Sequence, residues 1–199
     1  MGVGVGPHPE PWPMGPQWDR ELLAEGDRRN VADRFRYLTV AAIKAELDTD
    51  RSALHVAIEN WQHDLNIGSI VRTANAFNVA GVHIVGRRDW NRRGAMVTDR
   101  YLHVHHHESV DDFAVWAEGA GLPVLGIDNV PGSVPLESAT LPAACIMLLG
   151  QEGPGLSPAA VAACEVVLAI TQYGSTRSLN ASAAGAVAMY AWALAHRPR

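Results

Sequence analysis

Lysine is nearly missing from this chain: Lys44 is the single one among sixteen basic residues, and the rest are arginine. Cysteine is scarce as well. Cys145 and Cys164 stand alone without metal-ligand spacing, which excludes a disulfide-stapled scaffold and leaves buried, reduced thiols of a cytoplasmic protein as the expectation. No apolar run approaches the roughly 20 residues that span a bilayer, so no membrane partner is expected. The opening MGVGVGPHPEPWPMGPQWD lacks the charged-then-apolar layout of a signal peptide. Three motifs are also absent. Without Gly-x-Ser-x-Gly the chain is not read as an α/β-hydrolase. Without Gly-x-Gly-x-x-Gly after the first strand it is not a Rossmann dinucleotide binder. Without Gly-Lys-Ser/Thr after Gly150–Gly155 it has no Walker loop. Excess positive charge is missing too. A net charge of −5 argues against nucleic-acid binding by bulk charge, although local arginine clusters still bind phosphates bidentately.

What is present is an alternation. Residues 1–16 are rich in Gly and Pro and read as a disordered tail. Trp18, Leu22, Leu23 and Val31 outline a short helix interrupted near Gly26, and Thr39 caps a helix running to Leu47. Residues 1–50 have too few apolar positions for a core of their own and form an N-terminal extension. From residue 51 to 199, predicted strands alternate with helices. Strands are expected at Leu54–Glu59, Val82–Val85, Val124–Ile127, Ile146–Leu149 and Val166–Ile170. Helices are expected at Ile67–Asn78, Val110–Ala120, after Ser157-Pro158, and at Ala181–His196. This pattern gives an α/β fold with a mainly parallel sheet flanked by helices. The small residues of the last helix suit close packing, a subunit interface being one option.

Polar groups recur just past strand ends, where α/β proteins hold their ligands. Asn66 is placed to cap a helix. Arg72 sits between Val71 and Ala74 on an otherwise apolar helix and reads as a buried-side cation that needs an anion, either structural or a substrate phosphate. Glu152 lies in the glycine loop Gly150–Gly155, where it either pairs with Arg72, holds a helix N-terminus or meets a ligand. Ser178-Leu179-Asn180 opens the last helix, with Asn180 a simple cap if taken alone. Arg87, Arg88, Arg92 and Arg93, around Trp90, are either solvated surface charge or a phosphate contact. His103, His105, His106 and His107 lack supporting ligands and read as a solvated strand end, so no metal is assigned. Tyr173 and Arg177 acquire no role.

Taken in order, three segments resemble the SpoU (TrmH-like) branch of the SPOUT superfamily of RNA 2′-O-ribose methyltransferases. They are Asn66-Ile-Gly-Ser-Ile-Val-Arg72-Thr-Ala-Asn-Ala-Phe77, Leu149-Gly-Gln-Glu152-Gly-Pro-Gly155-Leu156, and Ile170 through Gly174 to Ser178-Leu-Asn180. The sequence departs from the family pattern at Thr171 and at His63-Asp-Leu-Asn66, changes that touch loop shape and no charged group. The resemblance implies a C-terminal trefoil knot, a homodimer, and S-adenosylmethionine lying against Ile127, Gly150, Ile170, Ser178 and Leu179. It implies methyl transfer to a ribose 2′-hydroxyl of RNA, with Arg72 central and Asn66, Glu152, Ser178 and Asn180 positioning it and the ribose. Guanidinium rarely deprotonates, so Arg72 is read as binding the neighbouring phosphate and stabilising the developing alkoxide. The brief extension favours tRNA over rRNA. The alternatives are a non-catalytic RNA-binding dimer and a methyltransferase acting on a base or small molecule.

Overall fold

The structure, a computed structural model, describes residues 4–61 and 66–197, and the chain divides into two compact units, residues 1–51 and 52–199. Gln62, His63, Asp64 and Leu65, part of the loop expected after the first strand, lie outside the described residues.

The first unit is built on Asp27, whose side chain is fully buried. Its carboxylate accepts from Arg29 Nε at 2.9 Å, Arg29 Nη2 at 2.7 Å and the Tyr37 backbone N–H at 3.0 Å. Burial alone would raise its pKa, but these donors and the guanidinium charge hold it at about 2. Residues 4–16 are not the disordered tail expected from composition. Val5 bridges Asp27 in both directions, His8 N–H donates to Leu23 O, and the Tyr37 hydroxyl donates to Gly6 O. Helix α1 is Arg20–Glu25, ending at Gly26 with a φ of 95°, and it does not resume toward Val31. Helix α2, Val40–Asp48, starts on Thr39, whose hydroxyl accepts from Ala42 N–H.

In the second unit the elements are β1 (Leu54–Asn60), α3 (Asn66–Ala76), β2 (Gly81–Gly86), β3 (Val104–His107), α4 (Val110–Gly119), β4 (Val124–Ile127), β5 (Val134–Pro135), β6 (Cys145–Leu149), α5 (Pro158–Ala163), β7 (Val166–Ala169) and α6 (Ala181–His196). Every pairing between these strands is parallel, in the order β3-β2-β1-β6-β4-β7-β5. Strand β3 falls where the histidine run reads as a strand end, and strand β5 adds an edge that the sequence pattern did not give. Strand residues alternate between the faces. Val56, Ile58, Ile84, Met147 and Leu149 pack with α3 and α6, while Ala57, Val85, Ile146 and Leu148 pack with α4 and α5. Cys145 is buried and Cys164 half-buried; burial pushes each thiol up to about 12, so neither is a nucleophile at neutral pH.

The histidines of β3 depart from a solvated strand end. His83 Nε2 meets His55 Nδ1 at 3.0 Å, and His83 Nδ1 meets His107 Nε2 at 2.9 Å. His83 and His107 are buried, stacked at 5.2 Å between centroids, with Trp116 over His83 at 4.2 Å. A neutral imidazole carries one donor and one acceptor, so uncharged rings complete this ladder. Among the described residues, no group of three His, Cys, Asp or Glu side chains is arranged to hold a metal ion. No helix among them is long and apolar enough to cross a membrane.

Candidate active site

The C-terminal ends of β1, β6, β4 and β7 carry the loops that form the site. After β6 the chain reverses tightly: Gln151 and Gly155 exchange both backbone hydrogen bonds, at 3.1 and 3.0 Å. Glycine is required at both ends of this turn. A Cβ on Gly150 would sit 2.2 Å from the Gly155 carbonyl carbon, and Gly155 has a φ of 73°. Ser157 then caps α5 through Ala160 N–H, with Pro158 in the first turn.

Buried Glu59 and Asn60 at the end of β1 brace the surrounding loops. Glu59 accepts from Trp61 Nε1 and Ser157 N–H, each at 2.8 Å, and Asn60 Nδ2 donates to Arg87 O at 2.6 Å and Asp89 O at 3.0 Å. The Trp61 backbone N–H donates to Gln151 Oε1 at 3.1 Å.

Three of the singled-out polar side chains meet directly. Asn66 Nδ2 donates to Glu152 Oε2 at 2.6 Å, and Asn180 Nδ2 lies 2.8 Å from Asn66 Oδ1 and 3.4 Å from Glu152 Oε1. Asn180 is nonetheless also a cap, its Oδ1 accepting from Ser182 N–H at 3.0 Å. Asn66 is buried in the first turn of α3. Glu152 is exposed and hydrogen-bonds both amides, and no ion pair joins it to Arg72 among the described residues, where such a pairing was one expectation.

Arg72 is exposed, which corrects its placement on the buried side of the helix. The physical reason is the helical turn: Ile67, Ile70, Val71 and Ala74 make one stripe, and a residue following Val71 by 100° points away from it. Arg72 has no hydrogen bond or ion pair among the described residues. Gly68, one turn earlier on nearly the same face, abuts the 3₁₀ turn Arg92–Ala95: a Cβ there would meet Gly94 Cα and Ala95 N at 2.8 Å. Arg92 and Arg93 are therefore held beside the turn of α3 that precedes Arg72. Arg87, Arg88, Arg92 and Arg93 are all exposed; Arg92 pairs with Asp99 at 3.1 Å and lies 5.3 Å from the Trp90 ring centroid.

A cavity of about 490 Å³ opens among these loops. Its walls include Ile127, Gly150, Ile170, Ser178 and Leu179, together with Glu152 and Asn180; Arg72 and Asn66 are not among its lining residues. The sequence reading missed Asp128 and Asn129, which also line it. Asp128 Oδ2 accepts from Leu156 N–H at 2.7 Å, and the Asn129 side chain donates to Arg177 O, so this pair ties both loops together. Their place directly after a strand end is shared with Glu152, but the Asp-Asn-Val-Pro-Gly run reads as an ordinary turn. Tyr173 and Arg177 are exposed, and Arg177 lines the cavity.

Comparison with known proteins bears on the family and the fold. The chain is 32% identical over 179 residues to a Mycolicibacterium vanbaalenii protein named "Uncharacterized tRNA/rRNA methyltransferase", covering 84% of this chain and 56% of that one. It is 27% identical to the tRNA (guanosine(18)-2′-O)-methyltransferase of Escherichia coli, covering 78% and 68%. Among solved structures, the A. aeolicus TrmH/SpoU tRNA modifying enzyme superposes with a TM-score of 0.67 at 20% identity, covering 77% of this chain and 80% of that one. The SpoU methyltransferase AviRb from Streptomyces viridochromogenes, in complex with the cofactor AdoMet, gives 0.66 at 23% identity, covering 73% and 62%. The chain spans about half the length of several curated relatives it matches. The SpoU rRNA Methylase family model matches residues 53–190, and the chain belongs to that family.

Proposed function

We propose that this protein transfers a methyl group from S-adenosylmethionine to a ribose 2′-hydroxyl of RNA. The observation that carries the reading is the Asn66–Glu152–Asn180 network, which joins three distant chain segments beside one cavity. The cavity suits the cofactor. It is lined by glycine turns and strand ends, and its acidic Glu152 complements the positive charge of the donor. When bound there, S-adenosylmethionine supplies an electrophilic methyl group, held against Ile127, Gly150, Ile170, Ser178 and Leu179. The methyltransferase AviRb, of the same fold, was crystallised with AdoMet.

Arg72 is the catalytic cation. Exposed and without a partner in the described structure, it binds the phosphate beside the target ribose and stabilises the developing alkoxide, the phosphate taking up the proton. Asn66, Glu152, Ser178 and Asn180 set the ribose and the α3 N-terminus against the cofactor. Arg87, Arg88, Arg92 and Arg93 extend the phosphate-binding surface from the same side. The preferred RNA is tRNA, in line with the name of the E. coli relative, and a cytoplasmic location follows from such a substrate. The C-terminal segment is threaded as a trefoil knot, and two copies associate through α6, whose Val187, Tyr190 and Leu194 are exposed.

The test is incubation with methyl-labelled S-adenosylmethionine and total RNA, followed by digestion to nucleosides. Labelled 2′-O-methylnucleoside is the expected product. A labelled base would replace this reading with base methylation, and bound but unlabelled RNA would replace it with an RNA-binding dimer.

A further inference from the structure

Asp128 is an acidic group on the cavity wall that the proposed methyl transfer leaves without a task. It is half-buried, and among the described residues it has no cationic partner. Its two contacts are backbone donors, Asn129 N–H to Oδ1 and Leu156 N–H to Oδ2, both at 2.7 Å. An ionised carboxylate offers about four acceptor positions, so each oxygen keeps one for a ligand. The carboxylate is also fixed in place. Gly155 lies against it so closely that a Cβ would stand 2.3 Å from Oδ2, and the neighbouring Asn129 side chain is anchored on Arg177 O.

Two adjacent acceptors on a rigid carboxylate match two adjacent hydroxyls. An internal RNA nucleotide presents no such pair, because its 3′-oxygen is esterified, whereas a free nucleoside moiety does. We infer that Asp128 binds the ribose cis-diol of the nucleoside-bearing methyl donor and is a specificity-determining residue of the cavity. This rests on the assignment of the cavity to that donor.

The experiment is calorimetric binding of S-adenosylhomocysteine and its 2′,3′-dideoxy counterpart to the wild type and to Asp128→Asn. The variant keeps its shape and one acceptor for Leu156 N–H, so the glycine loop stays anchored. Wild type should bind the dideoxy ligand about tenfold more weakly. Asp128→Asn should bind the parent ligand about tenfold more weakly and lose no more than about twofold on removal of the diol. An equal fold-loss on diol removal in both proteins would overturn the inference. A third ligand, 5′-methylthioadenosine, keeps the diol and lacks the amino-acid tail. If the effect of Asp128→Asn disappears with it, the carboxylate holds the ammonium and the diol assignment is wrong. If the wild type binds none of the three, the assignment of the cavity itself falls, and the inference with it.

Discussion

Arg72 is a cation that folding leaves solvated and that the proposed methyl transfer needs. Stability and turnover therefore separate its roles cleanly. With no partner to lose in the described structure, Arg72→Ala should leave the thermal midpoint within about 1 °C of the wild type, as for surface changes generally. Turnover on RNA should fall by roughly a hundredfold to a thousandfold, the range seen when a donor to a developing oxyanion is removed. S-adenosylhomocysteine binding should change by less than about twofold, since the cavity lining does not include Arg72. Near-full turnover with normal ligand binding would remove Arg72 from the mechanism. At this scale residue type and order carried much of the candidate site. An Asn at the start of α3, a Glu in the glycine loop and an Asn capping α6 met within hydrogen-bond distance, and Ser157, Thr39 and Asn180 all proved to be caps. Asp128 and Asn129 escaped because Asp-Asn-Val-Pro-Gly carries every mark of an ordinary turn, and nothing local reveals that the turn faces a cavity.

Elements constrain one another where they touch, and α3 is the tightest case. Gly68→Ala would gain about 1 kcal/mol of helix propensity in isolation. Here the new Cβ meets backbone atoms of Asn91, Gly94 and Ala95 at 2.8 to 2.9 Å, and backbone cannot rotate aside. Overpacking should win, with a net loss on the order of 1–3 kcal/mol, read as a lower urea midpoint at unchanged slope. An unchanged or higher midpoint would mean the arginine turn is not seated on the helix. The histidine ladder across β1, β2 and β3 gives a second element-scale expectation. Burial, then the neighbouring imidazoles, lowers His83 to about 2 and His55 to about 4, and burial lowers His107 as well. Unfolding returns each to its ordinary value near 6.5. Below that pH the unfolded chain binds more protons than the folded one, so the stabilisation is complete above pH 6.5 and is lost as pH falls toward 4. Each proton so taken up contributes about 1.4 kcal/mol per pH unit. Urea midpoints measured between pH 7 and 4 should decline accordingly, and His83→Phe should flatten the decline by about one proton. A flat wild-type profile would contradict the neutral ladder. None of this was legible in the sequence, because His55, His83 and His107 become neighbours only through the register of three parallel strands.

For the whole molecule, the decisive question is what covers α6. Its buried stripe, Gly185, Ala188, Met189 and Trp192, closes the sheet face, with Gly185 drawn so near that a Cβ would stand 2.9 Å from a Leu149 methyl. A second apolar set, Val187, Tyr190 and Leu194, is left 43%, 57% and 51% exposed on the same helix. A helix apolar on both sides belongs inside a larger structure, and in a family member with an incomplete-looking surface the simplest larger structure is a second copy. The alternation of strands and helices made the parallel sheet readable from sequence, and the alanine-rich texture of α6 marked it for close packing. Which side packs, and which is left open, depends on the rotation of the helix against β6, which an alanine-rich pattern does not specify. Tyr190→Glu places a charge at the centre of the open stripe without touching the buried one. Sedimentation velocity should report a dimer for the wild type and a monomer for the variant at micromolar concentration, while the far-ultraviolet spectrum stays the same. Methylation should fall with the dimer fraction if the partner copy completes the RNA surface. A wild type that sediments as a monomer, or a variant whose mass does not change, would place the subunit contact away from α6.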